Sequence, residues 1–199
     1  MDRALAEQPA TKERIYEAAT RLFYERGYHG TTMRDIAAAV GIKAASLYNH
    51  YPGKQDLLYQ VARRTMEDLS SGARRAMDPY TDPHDQLHAL VVWHVTFHAD
   101  RRFEAKVADE QLHALEPRRR RQAIKLRDAY EDLFKDVLGR GQALCRWRVP
   151  DVPVLTFAIA TMCTAVGTWY REDSRLSAEE IAGIYADFVL AALEPASDA

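Results

Sequence analysis

The sequence predicts an all-α protein, with an N-terminal three-helix head built on a helix-turn-helix and a C-terminal helical body, about nine helices altogether. Three observations lead there. Apolar residues recur at three- and four-residue spacing along most of the chain, and no stretch keeps the two-residue period of a strand. Turn-forming residues punctuate those segments at Gly41, Pro52-Gly53, Asp78-Pro79, Thr81-Asp82-Pro83 and Glu116-Pro117. Residues 31–51 compress two short amphipathic segments around a single glycine.

Ile15, Ala18, Ala19, Leu22 and Phe23 give the first helix its buried face, and Gly27 ends it. Thr32 caps the second helix, Met33 to Val40, whose apolar marks are Ile36, Ala37 and Val40. Gly41 then supplies a positive φ and Ile42 dips back into the core. The third helix starts near Lys43 and buries Leu47 and Tyr51, one turn apart. At about 100° per residue, Ala45, Tyr48 and Asn49 point away from that core. A face of this kind can enter a DNA major groove, with short side chains at its tip, an amide to read a base and a phenol to touch a phosphate.

The DNA-contacting set expected from this reading is Lys12, Arg14, Thr32, Arg34, Lys43, Ala44, Ala45, Ser46, Tyr48, Asn49, His50 and Lys54. Lys54 opens the next helix, where backbone N–H groups and the positive dipole end favour a phosphate. The competing reading of Lys12, Arg14 and Lys54 is that they are solvated surface charges. An ordinary structural corner at residues 31–51 would leave Tyr48, Asn49 and His50 unexplained. Charge is an objection, because the chain carries a net charge of -2 and Met1 to Leu58 holds eight Lys or Arg against seven Asp or Glu. Binding therefore requires Lys12, Arg14, Arg34, Lys43 and Lys54 on one face, with Glu13, Glu17 and Glu25 turned elsewhere. The resulting division is a DNA-binding domain over residues 1–54 and a ligand-binding and dimerisation domain over 55–199.

Thr31-Thr32, Ile36-Ala37, Gly41-Ile42, Leu47-Tyr48-Asn49-His50-Tyr51, Gly53-Lys54 and Asp56-Leu57-Leu58, with Glu25-Arg26-Gly27-Tyr28 upstream, together resemble the N-terminal signature of the TetR family of transcriptional regulators. The match spans roughly Thr11 to Val61. Lys43 stands where that family often has a Ser or Thr cap, and Ala44-Ala45 where it often has Lys-Gly, so base readout there becomes partly apolar. The resemblance implies a repressor that binds a double-stranded, palindromic DNA operator as a homodimer and is released by a small-molecule effector. A helical ligand-binding adaptor that has lost its operator is the alternative.

The body reads as helices from Gln55 to Met77, about His84 to Asp100, Arg102 to Leu115 and Arg118 to about Gly139, with Gly139 and Gly141 closing the last of these. The second carries Leu87, Leu90, Val91, His94 and Phe97 on one stripe. The fourth has Ile124, Leu126, Tyr130, Leu133, Phe134, Val137 and Leu138 inside. Val152 to Trp169 is the most apolar element, Ala178 to Leu193 is the last helix, and the tail from Glu194 to Ala199 frays. Ala158, Ala160, Thr161, Ala165 and Gly167 on the first of this final pair let another helix come close. In the family resembled, the pair meets its two-fold mate as a four-helix bundle.

Trp93, Phe97, Phe103, Tyr130, Phe134, Met162, Trp169 and Arg171 are the candidate effector-binding residues, although aromatic stripes at helical spacing are more often core. Arg118 to Arg121 is a run of four arginines that suits a phosphate or carboxylate end, or else is a solvated helix face. Thr168-Trp169-Tyr170-Arg171 and Leu176-Ser177-Ala178-Glu179-Glu180-Ile181 resemble the branch of the family that senses acyl-coenzyme A thioesters. No cofactor is expected beyond such an effector. His94 and His98 have a metal-compatible spacing but no HExxH and no carboxylate in register, so polar lining or surface positions are expected and no metal. No nucleophile elbow, phosphate loop or Cys/His pairing marks an enzyme. Cys145 and Cys163 read as buried thiols of a reducing compartment. No apolar run nears about 18 residues and no signal core opens the chain, so a soluble cytoplasmic protein with no membrane association is expected.

Overall fold

Thr32 fixes where the helix-turn-helix begins. In the computed structural model, which describes residues 2–194 with side chains from Thr11 onward, Asp35 N–H donates to Thr32 Oγ1 at 3.2 Å and Thr32 N–H donates back to Asp35 Oδ2 at 2.8 Å. This reciprocal capping box satisfies two donors that a helix start leaves without intrahelical partners. Gly41 closes the same helix in the left-handed region at φ 75°, its N–H reaching Ala37 and Ala38 carbonyls. The described residues are all helix or connection: α1 (Asp2–Arg26), α2 (Met33–Val40), α3 (Ala44–Tyr48), α4 (Lys54–Met77), α5 (Pro83–Asp100), α6 (Arg102–Glu110), a 3-10 turn (Leu112–Ala114), α7 (Pro117–Ala143), α8 (Val152–Thr164), α9 (Val166–Trp169) and α10 (Ala178–Leu193). Only Ala165 separates α8 from α9, and counting them as one bent segment gives the expected nine helices.

Contacts group the chain differently from a single cut at residue 54. One compact unit takes the chain through Thr65 together with Phe103–Ile124, and the other takes Met66–Arg102 and the residues from Lys125 on. The first unit is organised around Ile15, Phe23, Ile36, Leu47, Leu57 and Val61, all essentially without solvent contact. Val107, Leu112 and Leu115 join that core from α6 and the turn after it. Burying side chains of this size contributes about 1.5–3 kcal/mol each, which is how the five-residue α3 is held although its N-cap, Lys43, makes no side-chain cap bond.

The second unit centres on α5, against which α8, α9 and α10 pack. The single-stripe expectation for α5 fails because Val95, His98 and Ala99 are buried as well as Leu87, Leu90, Val91, His94 and Phe97. A helix covered on several sides has no polar face to keep. α7 also corrects its expectation, running through both Gly139 and Gly141 to Ala143. A Cβ on Gly141 would overlap the Trp147 indole, so this glycine makes room for a ring and does not end the helix. Ile124 on α7 is exposed, not inside. Gly167 likewise serves its own subunit, since a Cβ there would lie 2.9 Å from the His98 carbonyl oxygen. Cys145 is exposed at φ 54° after α7, whereas Cys163 is buried. Residues 152–169 do reach the length and apolarity of a membrane span, with mean hydropathy 1.5 over 18 residues, against the expectation that no run comes near it. The expected fraying of the tail lies, beyond Glu194, outside the described residues.

Candidate nucleic-acid interface

Leu47 is completely buried and locks α3 into the head, while its two successors turn outward: Tyr48 is 51% exposed and Asn49 is exposed. Ala45 and Lys43 are exposed, and Ala44, Ser46 and His50 are half-buried. The face so formed is small at its start and carries a phenol and an amide at its end. Arg34 is exposed on α2, and neither the Arg34 nor the Lys43 side chain has a hydrogen-bond or ion-pair partner among the described residues. These two cations keep their charge available for phosphate.

Other expected contacts also make interactions within the head. Lys54 shows this most clearly: its ammonium donates to the carbonyls of Tyr28 and Thr31, both at 2.7 Å, and sits 4.1 Å from the centroid of the Tyr28 ring. Burial lowers its pKa, and the nearby Asp35 carboxylate opposes that shift. A positive group thus ties the connection after α1 to the start of α4, satisfying carbonyls that no helix ladder serves. Arg14 donates to the Val40 carbonyl at 2.7 Å, holding the end of α2. The Thr32 hydroxyl is engaged with Asp35 at 2.6 Å, which with the backbone N–H bond holds the Asp35 carboxyl below the usual carboxylate range. Lys12 is exposed and lies 5.5 Å from the Tyr51 ring centroid. Substituting Lys54 by Met is expected to destabilise the head by about 2 kcal/mol, since hydrogen bonds to charged groups contribute about 1.5–3 kcal/mol each and the cation–π interaction with Tyr28 goes with them. The check is the midpoint of urea denaturation followed by far-ultraviolet circular dichroism.

Several head residues of consequence carry no signal in the sequence. Arg64 makes a two-bond pair with Glu13 at 2.9 and 3.1 Å and lies 4.1 Å over the Tyr16 ring, which disposes of one of the acidic residues near the DNA-facing side. Gln55 donates to Tyr28 Oη at 2.7 Å and to the Ala114 carbonyl at 2.8 Å, and its Oε1 accepts from Glu116 N–H at 2.9 Å. Tyr28 N–H reaches Gln111 Oε1 at 3.1 Å. Partners separated by 27 to 83 residues leave no periodic trace in the chain.

The effector candidates are not gathered around one cavity. Phe103 belongs to the first unit, edge-on to Tyr24 with centroids 4.6 Å apart. Tyr130 and Phe134 are core side chains, and Tyr130 Oη lies 2.8 Å from His94 Nδ1 while His94 Nε2 lies 3.0 Å from Thr164 Oγ1. His94 and His98 are therefore buried, not surface residues, with their rings 4.4 Å apart. Burial pushes His94 well below its ordinary pKa, and burial with the Arg127 charge lowers His98 to about 4. Burial also raises the Cys163 thiol to about 12. Trp93 donates its indole N–H to the Leu69 carbonyl at 2.9 Å, and Trp93 and Phe97 wall a recess of about 410 Å³ with Asp68, Arg75 and Arg101. Met162 lies instead in an apolar recess of about 180 Å³ with Ala158 and Phe188. Trp169 is 47% exposed, and Arg171 turns back onto the carbonyls of Tyr170 and Thr168 at 2.8 and 3.3 Å.

A capped helix-turn-helix with an outward recognition face, followed by an all-helical body, defines a helical DNA-binding transcriptional regulator. The family models agree at both ends: bacterial regulatory proteins of the tetR family match over residues 15–61, and the tetracyclin repressor-like C-terminal domain matches over residues 80–193. The chain belongs to the TetR family of transcriptional regulators. It is 29% identical over 195 residues to the HTH-type transcriptional repressor KstR2 of Mycobacterium tuberculosis (strain ATCC 25618 / H37Rv), covering 96% of each chain. A solved tetR-family regulatory protein from Rhodococcus RHA1 superposes with a TM-score of 0.88 at 26% identity, covering 94% of this chain and 98% of that one. AibR, solved in complex with isovaleryl coenzyme A and operator DNA, shares the fold at a TM-score of 0.79 and 24% identity, over 93% of this chain and 98% of its own.

Proposed function

We propose that this regulator is a cytoplasmic repressor that binds a palindromic operator as a homodimer and lets go when a small hydrophobic or acyl-coenzyme A effector occupies the body. The observation that carries the reading is the outward Tyr48–Asn49 face on an α3 pinned by Leu47. Dimerisation is supported by Val154, Phe157, Ile184 and Phe188, which leave apolar side chains more than half exposed on α8 and α10. One α3 reads too few bases for a specific site, and a two-fold pair about 34 Å apart reads two half-sites. The effector part is supported by the similarity to KstR2 and by the ability of the fold, in AibR, to hold an acyl-coenzyme A and DNA together. Release follows if the effector prefers the state whose heads do not match the operator spacing.

The test is binding to duplexes tiled across the promoters beside the gene. Removing one base interaction costs about 1–3 kcal/mol, so Tyr48→Ala combined with Asn49→Ala is expected to weaken the specific complex by tenfold or more. A wild-type protein that shows no sequence-dependent, salt-sensitive complex with any of these duplexes rejects the reading and leaves a helical ligand-binding adaptor.

A further inference from the structure

We propose that the arginine tract at the start of α7 is a second DNA-contacting surface, gripping operator phosphates in place of the lysine that the head has turned inward. The proposal rests on the reading of the head as a DNA binder. Lys54, at the start of α4, directs two of its ammonium N–H groups inward to the Tyr28 and Thr31 carbonyls. Arg14 directs its own to Val40. With eight basic against seven acidic residues as far as Leu58, the head has little positive charge left over.

The tract supplies that charge within the same compact unit. Arg119 pairs with Asp56, two residues past Lys54, and with Glu116 at 3.1 Å. The connection before it is fastened by Gln55 to the Ala114 carbonyl and to Glu116 N–H, so with the Arg119–Asp56 pair three polar contacts hold the start of α7 and the connection before it to the start of α4. With Arg119 turned inward, about 100° per residue points Arg118, Arg120 and Arg121 away from it, with Arg121 nearly opposite and the other two on its flanks. All three are exposed, and their side chains have no partner among the described residues. Their position is electrostatically unfavourable on its own. The first turn of a helix is its positive end and this one holds no acidic residue, so cations there are repelled by the helix dipole. A solvated stretch of helix would gain nothing from that arrangement. A row of phosphates reverses the sign of the interaction, and arginine's planar fork matches phosphate oxygens in two-bond geometry. Duplex DNA already docked on the same unit is the polyanion that fits.

The experiment uses the full-length protein with Arg118, Arg120 and Arg121 all changed to Gln, beside a variant with all three changed to Lys. Operator affinity is measured across a series of potassium chloride concentrations. Removing one phosphate interaction lowers the slope of log K against log salt by about 0.9 for B-DNA. The Gln variant is expected to show a slope reduced by about one to three per head, with its preference for operator over scrambled duplex unchanged, and the Lys variant to keep the wild-type slope. A duplex trimmed to the bare half-sites is expected to remove the difference. An unchanged slope in a Gln variant of wild-type helix content overturns the proposal while leaving the head's role intact. An unchanged slope combined with weaker release by isovaleryl coenzyme A assigns the tract to an effector phosphate and also overturns it. Absence of any salt-dependent complex with the wild type overturns both this proposal and the reading of the head.

Discussion

Changing Phe157 and Phe188 to Asp is expected to give a folded monomer that no longer forms the specific operator complex. Both rings are carried by helices whose other faces are firmly packed. Phe157 is 69% exposed on α8, where Thr156 and Ile159 are buried, and Phe188 is 62% exposed on α10, beside the buried Val189 and Leu190. Val154 and Ile184, at 62% and 55%, extend the patch. Large apolar side chains clustered on one surface are unusual for a chain that remains alone in water. A carboxylate at each position opposes association because it would have to be buried without a partner. The inward halves of the two helices keep their contacts, so the helix content should hold. Linking two heads makes the second half-site contact intramolecular, and losing that advantage costs about 10²–10⁴ in overall affinity. Light scattering after size exclusion checks the oligomeric state, and a gel-shift titration checks the operator. A double variant that still elutes as a dimer rejects this face as the interface.

The second large effect is a loss of stability on mild acidification, traced to His98. Its imidazole is 5% exposed, and burial, with the Arg127 charge adding to it, lowers its pKa from 6.5 to about 4. The unfolded chain therefore takes up a proton near pH 6.5 that the folded one refuses until about pH 4. Stability from keeping this ring neutral is complete above pH 6.5 and is lost progressively as the pH falls toward 4. One such group corresponds to about 1.4 kcal/mol per pH unit across that window, or roughly 3 kcal/mol in total. His94, shifted in the same direction, steepens the decline. Urea denaturation at a series of pH values between these limits should show the slope, and His98→Phe should flatten it. A His98→Phe variant with the wild-type pH profile would exclude His98 as the source. The carboxylates of Asp35 and Asp82, held low by hydrogen bonds from Thr32 and from His84 and Arg146, add acid sensitivity only at lower pH.

The parts of the protein legible in the chain are those governed by local rules. Thr32 before an apolar run and Gly41 after it are capping chemistry, and Leu47 against Tyr48 and Asn49 is helical periodicity, so the head and its outward face follow residue by residue. The last helix starts by the same chemistry, with Ser177 and Glu180 in a capping box. Periodicity misleads where packing changes the rules. α5 is covered on more than one side, so its polar positions His94 and His98, which the sequence reads as lining or surface groups, are buried. Gly139 and Gly141 read as a helix end because glycine usually is one. At Gly141 the residue instead yields space to Trp147, a contact that exists only once the connection after α7 folds back.

Charged groups divide most sharply between the two levels. The sequence by itself determined that the chain is all helix, where the helix-turn-helix lies, and which side of α3 faces outward, because each follows from interactions among residues within about one or two turns. The tertiary structure alone decided which cations remain available: Lys54 and Arg14 go to carbonyls 23 to 26 residues away, Arg64 to Glu13, Arg119 to Asp56. An ammonium or guanidinium finds the strongest acceptor that the fold brings within reach, and proximity between distant segments is written in the packing of the core, not in the spacing of the charges.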